Sequence, residues 1–233
     1  MALLLIFCSN RVLRYAKYSQ DPLVGIRTYP LSFHLLMMFC TESLLHVFLS
    51  RRGFKRCAVG QMTYYYYSPV KVSPNALPIV FCHGIGIGLL PYLGFIDSLI
   101  NLNRPLILPE INNVCGFRLW KNMNSDSVLP PHTVVSNIVA ILACHGYTKA
   151  TFVGHSYGTS WLSYMCKHEG RVVDFVVFID PICFCLHLPF LTKQFVYHRA
   201  NPGSVSYIIR SDVSVHWTIQ RCFPWHQVSL FTG

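Results

Sequence analysis

The chain has 233 residues, of which 52% are hydrophobic and only 12% are charged. This composition excludes general disorder, because disordered chains are poor in apolar residues and rich in charge. The net charge of +10 is not arranged for nucleic acid, since the basic residues form no long tract and no zinc-finger spacing accompanies them. We therefore expect one globular unit with a large core and no nucleic-acid partner.

The ten cysteines form no disulfide framework and no pair of CxxC motifs that would indicate a zinc site. No Asn begins an Asn-x-Ser/Thr acceptor, which argues weakly against secretion. We expect an intracellular, reducing compartment, with membrane association left open by the N-terminal region. Nothing in the sequence implies a metal or a cofactor.

Residues 1–58 are interpreted as an N-terminal, membrane-proximal helical extension. Within them, residues 31–50 predict an amphipathic helix, because Glu42, His46 and Ser50 recur at helical spacing on an otherwise apolar surface. Two interpretations stay open: a helix that covers the core, or an interfacial membrane helix. A membrane-spanning helix is disfavoured because mid-bilayer charge is costly.

A basic cluster follows this predicted helix and consists of Arg51, Arg52, Lys55 and Arg56. It is interpreted either as a solvated turn or as a patch that faces a membrane surface.

From residue 59 the pattern changes to short apolar runs that alternate with helical periodicity. Strands are predicted over 61–68, 77–82, 104–108, 150–154 and 172–179, and helices over 132–146 and 157–168. This alternation predicts an α/β fold with a mostly parallel sheet and helices on both faces. Residues 59–181 are interpreted as the core. Residues 182–233, with one more candidate strand over 205–209, are interpreted as a partial cap.

The segment Gly154-His155-Ser156-Tyr157-Gly158 lies between a predicted strand and a predicted helix. That context is the one a nucleophile elbow requires. The turn is too sharp for side chains at the flanking positions, which is why glycines bracket the serine. Its hydroxyl would project at the carboxyl edge of the sheet, where the helix N-terminus stabilises developing negative charge. The sequence therefore predicts Ser156 as a nucleophile.

The glycine-rich run His83-Gly84-Ile85-Gly86-Ile87-Gly88 follows the strand predicted over 77–82. Glycines let the backbone approach a substrate closely, so we expect the N–H groups of Ile85 and Tyr157 to be oxyanion donors. His83 and His155 are expected to be structural or to face the substrate. A nucleotide-binding loop is the rival interpretation, with Glu110 after the next strand, but Leu89 breaks the Gly-x-Gly-x-x-Gly pattern.

Two carboxylates compete for the role of catalytic acid. Asp180 ends the strand predicted over 172–179, where it would either orient a catalytic imidazole or cap the turn before Pro181. Asp212 follows the candidate strand over 205–209 and is the alternative.

The segments His83-Gly-Ile-Gly86, Gly154–Gly158 and Phe178-Ile-Asp-Pro181 occur in an order that resembles the α/β-hydrolase superfamily, serine-nucleophile (AB hydrolase-1) type. The resemblance covers residues 60–181. It implies hydrolysis of an ester-like bond in a small molecule through an acyl-enzyme at Ser156. The apolar cap and the N-terminal helix favour a lipophilic or lipid-like substrate.

The resemblance also implies a catalytic His after the last strand of the fold. Only His216 and His226 come late enough, and both are interpreted as cap residues. We therefore expect the fold to lack its last strands at the C-terminus. The alternative function is a catalytically inactive binding or membrane-associated module.

Overall fold

The computed structural model describes residues 25–71, 76–117, 128–184, 186, 188–197, 201–223 and 225–230. The first 24 residues of the predicted N-terminal extension lie outside this described part, as does the side chain of His226.

Six strands form one sheet. They are β1 (Lys55–Val59), β2 (Met62–Tyr67), β3 (Ile79–Cys82), β4 (Leu106–Pro109), β5 (Ala150–His155) and β6 (Val173–Ile179), in the order β1-β2-β4-β3-β5-β6. The β1–β2 and β2–β4 pairs are antiparallel, and the other three pairs are parallel. The predicted mostly parallel sheet is confirmed.

Eight α-helices accompany the sheet in the described ranges. They are α1 (Leu31–Arg51), α2 (Leu93–Ile100), α3 (Pro131–Cys144), α4 (Gly158–His168), α5 (Pro189–Tyr197), α6 (Val205–Arg210), α7 (Val213–Trp217) and α8 (Trp225–Val228). A 3₁₀ turn covers Leu90–Tyr92, a second covers Asn112–Val114, and a π-helical turn covers Thr218–Cys222.

The helices lie on both faces of the sheet. Val80 and Cys82 of β3 belong to the core cluster that contains α3 and α4, whereas Ile79 and Phe81 belong to the cluster that contains α1 and α2. Because successive side chains of a strand point to opposite faces, the two clusters lie on opposite sides of the sheet.

The strand predicted over 205–209 is wrong, because these residues form helix α6. The hydroxyl of Ser204 accepts a hydrogen bond from the N–H of Tyr207 at 3.0 Å, which is a helix N-cap. This start signal outweighs the β-branched residues that favoured a strand.

Sequence reasoning missed strand β1, which pairs with β2 through a tight turn in which Val59 opposes Met62. Gly60 occupies this turn with a φ of 56°, a conformation that favours glycine. The predicted boundary between residues 58 and 59 therefore falls inside β1.

Helix α1 is anchored to the domain at its C-terminal end. Leu45 and Leu49 are buried in the second core cluster. The guanidinium of Arg52, the residue after the helix, donates two hydrogen bonds of 2.5 and 2.8 Å to the carboxylate of Asp97 in α2. These bonds lower the pKa of Asp97 from its ordinary value.

Half of the basic cluster thus has structural partners, because Arg56 also bonds the buried carboxylate of Glu110 at 2.9 Å.

The packing of α1 predicts a large difference between two leucine substitutions. Leu49→Ala removes a side chain with 0% exposure and should lower the free energy of unfolding by about 2–5 kcal/mol, because a cavity remains in the core. Leu36→Ala, at a position 60% exposed, should change it by less than about 0.5 kcal/mol. Urea denaturation followed by tryptophan fluorescence measures both, and equal effects would contradict the packing of α1 on the sheet.

Candidate active site

The turn between β5 and α4 holds Ser156 in a strained backbone conformation. Its φ is 48°, in the left-handed region that residues with a side chain rarely adopt. The N–H of Ser156 donates to the carbonyl oxygen of Ile179 at 2.9 Å, which ties the turn to the end of β6. Such conformations concentrate at functional sites and persist where surrounding structure holds them.

Close packing leaves no room for a side chain at Gly158 and little room for one at Gly154. A Cβ atom at Gly158 would overlap the carbonyl oxygen of Cys82 and lie 2.6 Å from its carbon. A Cβ atom at Gly154 would lie 2.8 Å from the side chain of Leu162. The glycine expected from the sequence therefore has a firm steric cause at position 158, where the neighbour is backbone, and a weaker one at position 154, where a side chain can shift.

The backbone of the glycine-rich loop presents one unused donor between two used ones. The N–H of Gly84 donates to the hydroxyl of Tyr92 at 3.1 Å, and the N–H of Gly86 donates to the carbonyl of Val114 at 3.1 Å. Within the described ranges, no group accepts from the N–H of Ile85. The predicted oxyanion donor on this loop is thus left available.

The second predicted donor lies at the start of α4. The N–H of Ser156 is used by Ile179, and that of Thr159 donates to the carbonyl of Ser156 at 3.0 Å. The N–H of Tyr157 between them has no acceptor in the part of the chain that the structure describes. The glycine-rich loop lies against the turn, since a Cβ at Gly84 would be 3.2 Å from the carbonyl oxygen of His155. The role of both N–H groups as oxyanion donors remains a prediction.

Tyr92 connects the loop to the turn, and no sequence motif marks this residue. Its hydroxyl accepts from Gly84 and lies 2.7 Å from Nδ1 of His155. Burial raises the pKa of Tyr92, with the Gly84 hydrogen bond acting in the opposite direction. The phenol therefore stays protonated at neutral pH, and its contact with Nδ1 ties the His155 ring to the loop whichever of the two groups donates.

His83 is engaged through both ring nitrogens and is fully buried. The N–H of Ile111 donates to Nε2 at 3.0 Å, so Nδ1 carries the proton and donates to the carbonyl of Gly84 at 2.8 Å. In this arrangement His83 orders the loop and offers no free nitrogen to a substrate.

Asp180 lies beside the turn at the end of β6. Its φ is 47°, its side chain is exposed, and the preceding carbonyl, that of Ile179, accepts from Ser156. Among the described residues, none bonds the Asp180 carboxylate, so neither a turn cap nor an imidazole contact is formed there. Its catalytic role stays a prediction.

Asp212 has a different setting from the one expected. It caps α7, accepting from the N–H groups of Ser214 and Val215 at 3.1 and 3.2 Å, and it is completely buried. No strand precedes it, since residues 205–210 are helical. The strand context that made Asp212 an alternative acid is therefore absent.

The late histidines are not brought to Ser156 by any described contact. Nδ1 of His216 donates to the carbonyl of Arg210, and its Nε2 accepts from the side chain of Gln220, both at 3.0 Å. Helix α8, which contains His226, lies along the second half of α4, where the hydroxyl of Ser163 donates to the carbonyl of Val228 at 2.7 Å. None of the described side chains bonds the hydroxyl of Ser156.

Asn113 joins the C-terminal helices to the turn and was also missed. Its side-chain amide donates to the hydroxyl of Tyr157 at 3.0 Å, and its backbone carbonyl accepts from the hydroxyl of Thr218 at 2.7 Å. The ring of Phe223 lies 5.0 Å from that of Tyr157, centroid to centroid. The region interpreted as a cap thus contacts the residue that follows the predicted nucleophile.

The nucleotide-binding interpretation needs an available carboxylate at Glu110. Instead, that carboxylate accepts hydrogen bonds from Arg56 and from the hydroxyl of Thr63, both at 2.9 Å. Glu110 is therefore part of the packing between β1, β2 and the end of β4.

Solved structures resemble this chain across most of its length. A bacterial membrane phospholipase A is 12% identical, with a TM-score of 0.52 over 97% of this chain and 72% of that one. Carboxylesterase CesB from Bacillus subtilis is 12% identical, with a TM-score of 0.50 over 80% and 70%. Proline iminopeptidase from Mycobacterium smegmatis is 16% identical, with a TM-score of 0.49 over 76% and 73%.

The chain has the α/β-hydrolase fold. The sheet order, the helices on both faces and the strained serine turn agree with this assignment. No protein-family model and no curated protein sequence matches the chain. At these identities the resemblance establishes the fold, and the chemistry has to be argued from the residues themselves.

The close approach at residue 158 predicts a strong effect of a single methyl group. Gly158→Ala should lower the free energy of unfolding by about 3 kcal/mol, at the upper end for overpacking, because a backbone carbonyl cannot move aside as a side chain can. Gly170→Ala is the matched control, since a Cβ there meets nothing within 4 Å. Thermal and urea denaturation measure both, and a Gly158→Ala variant as stable as the control would contradict the described contact with Cys82.

Proposed function

We propose that this chain is a serine hydrolase that cleaves ester-like, lipophilic substrates through an acyl-enzyme at Ser156. The observation that carries the proposal is the strained serine turn, together with backbone N–H groups of Ile85 and Tyr157 that no group among the described residues accepts from. This combination is the arrangement that acyl transfer requires, because negative charge develops on the carbonyl oxygen.

The reaction follows from these groups. Oγ of Ser156 attacks the carbonyl carbon, and the N–H groups of Ile85 and Tyr157 hold the resulting oxyanion. Collapse of the intermediate breaks the bond to the leaving alcohol and leaves an acyl-serine, which water then hydrolyses. The proton of Ser156 must pass to a general base, which then gives it to the departing alkoxide so that an alcohol leaves. His83 and His216 have both nitrogens engaged, which makes His226 the histidine to test, with Asp180 as the carboxylate that would orient it.

Ester or lipid-like small molecules are the proposed substrates, and a membrane surface is the proposed partner. Two structural neighbours are named as a carboxylesterase and a membrane phospholipase A. Large apolar side chains are also exposed on α1 and around α5, including Phe39 at 69% and Phe190 at 63%. Apolar surface of this kind favours lipophilic over charged ligands.

A second candidate function is a catalytically inactive module that binds an apolar ligand or a membrane. One observation favours it: within the described residues, the hydroxyl of Ser156 has no hydrogen-bonded base. A serine without a base is a weak nucleophile at neutral pH.

Labelling with a fluorophosphonate probe separates the two functions. The wild-type chain should be labelled covalently, Ser156→Ala should abolish labelling, and Ser98→Ala, which changes an exposed serine of α2, should leave it intact. Circular dichroism verifies that each variant is folded. Labelling that persists in Ser156→Ala would contradict the assigned nucleophile, and a folded wild-type chain that is not labelled would favour the inactive module.

A further inference from the structure

Helix α1 presents a broad apolar surface to solvent. Its exposed large side chains are Leu31, Leu35, Leu36, Phe39, Leu44 and Val47. At about 100° per residue these positions spread over more than half of the helix circumference. The exposed His46 and Ser50 lie within the same arc, so polar groups interrupt this surface. Soluble proteins rarely expose this many large apolar side chains on one helix unless they bind something. We call these six side chains the α1 apolar face.

The opposite side of α1 is fixed to the domain near both ends. His34 is buried close to the N-terminal end, and Leu45 and Leu49 are buried towards the C-terminal end. Residues 34 and 49 are separated by about 22 Å along a helix, since each residue adds about 1.5 Å. The helix has the length and composition of a membrane span. Because it lies against the domain over this distance, however, it cannot cross a bilayer without unpacking.

Charge at the end of α1 complements an anionic surface. Arg51 ends the helix and Lys55 follows it, and both are exposed, whereas Arg52 and Arg56 are bound by Asp97 and Glu110. Glu42 is the one acidic residue of α1, and the whole chain carries a net charge of +10. Basic residues beside an apolar helical face are attracted to anionic lipid headgroups.

We propose that α1 lies flat in the interface of an anionic lipid bilayer, with the α1 apolar face among the acyl chains and with Arg51 and Lys55 at the headgroups. The inference deepens the membrane-surface part of the proposed function and does not depend on the serine chemistry.

The position of α1 links this surface to the candidate active site. The core cluster that contains Leu45 and Leu49 also includes Leu89, and Tyr92 packs against it. The hydroxyl of Tyr92 in turn bonds both Gly84 and His155. The bilayer would therefore contact the domain through α1, which packs in the same core cluster as the residues that support the glycine-rich loop. This arrangement suits an enzyme that draws a lipid-like substrate from the membrane.

Vesicle flotation of the full chain tests this surface. The wild-type chain should float with vesicles of phosphatidylcholine and phosphatidylserine, and less with phosphatidylcholine alone. The double variant Leu35→Glu/Phe39→Glu should reduce the bound fraction about ten-fold or more, because two large apolar side chains no longer enter the bilayer. Phe175→Glu, on β6 and 62% exposed, is the matched control and should float as the wild type does. Arg51→Gln/Lys55→Gln should weaken only the phosphatidylserine-dependent part.

Several results would overturn the inference. They are flotation unchanged in the double variant, equal loss in the Phe175→Glu control, or no vesicle binding by the folded wild type. A double variant that changes a dimer into a monomer without affecting flotation would assign the α1 apolar face to a second copy instead. Retention of the protein in membranes after alkaline carbonate extraction would show a spanning helix. Flotation uses no substrate, so a chain that floats but resists fluorophosphonate labelling fails only the hydrolase proposal.

Discussion

The first turn of α4 lies directly against the carbonyl group that ends β3, at a distance that only a residue without Cβ can occupy. Gly158 meets this constraint, and the rest of the candidate site follows from it. Because α4 starts so close to the sheet, the chain must reverse between His155 and Gly158, and Ser156 takes a φ of 48°. The packing of the sheet against the helix holds this conformation, so the proposed nucleophile is already in place before any substrate binds.

Long-range hydrogen bonds then fix the surroundings of the turn. Tyr92 ties it to the glycine-rich loop, and Asn113 ties Tyr157 to the C-terminal helices. Both sets of hydrogen bonds use buried or half-buried polar groups. Leaving such a group without a partner costs more free energy of folding than an average hydrogen bond contributes. The backbone donors at Ile85 and Tyr157 are therefore held by their neighbours, which is the preorganisation that electrostatic stabilisation of an oxyanion requires.

The sequence predicted the parts of this structure that depend on local pattern. The strands around Phe81 and Phe152 are short buried runs, the strand around Val176 is a short apolar run, and the serine turn carries its glycines at fixed spacing, so all of these could be read directly. Strand β1 was missed because its side chains are mostly exposed or half-buried, and only Gly60 marks the hairpin. Helix α6 was read as a strand because three β-branched residues concealed the Ser204 cap. Tyr92 and Asn113 were missed because their partners are 63 and 44 residues away, and no local signal encodes such contacts.

A crystal structure of the chain with an alkyl boronic acid would test whether the strained turn and the glycine-rich loop together form an acyl-transfer site. We expect a covalent bond from boron to Oγ of Ser156, with one boronate oxygen about 3 Å from the backbone nitrogens of Ile85 and Tyr157. A boronate bound elsewhere, or one on Ser156 whose oxygens contact neither nitrogen, would contradict it.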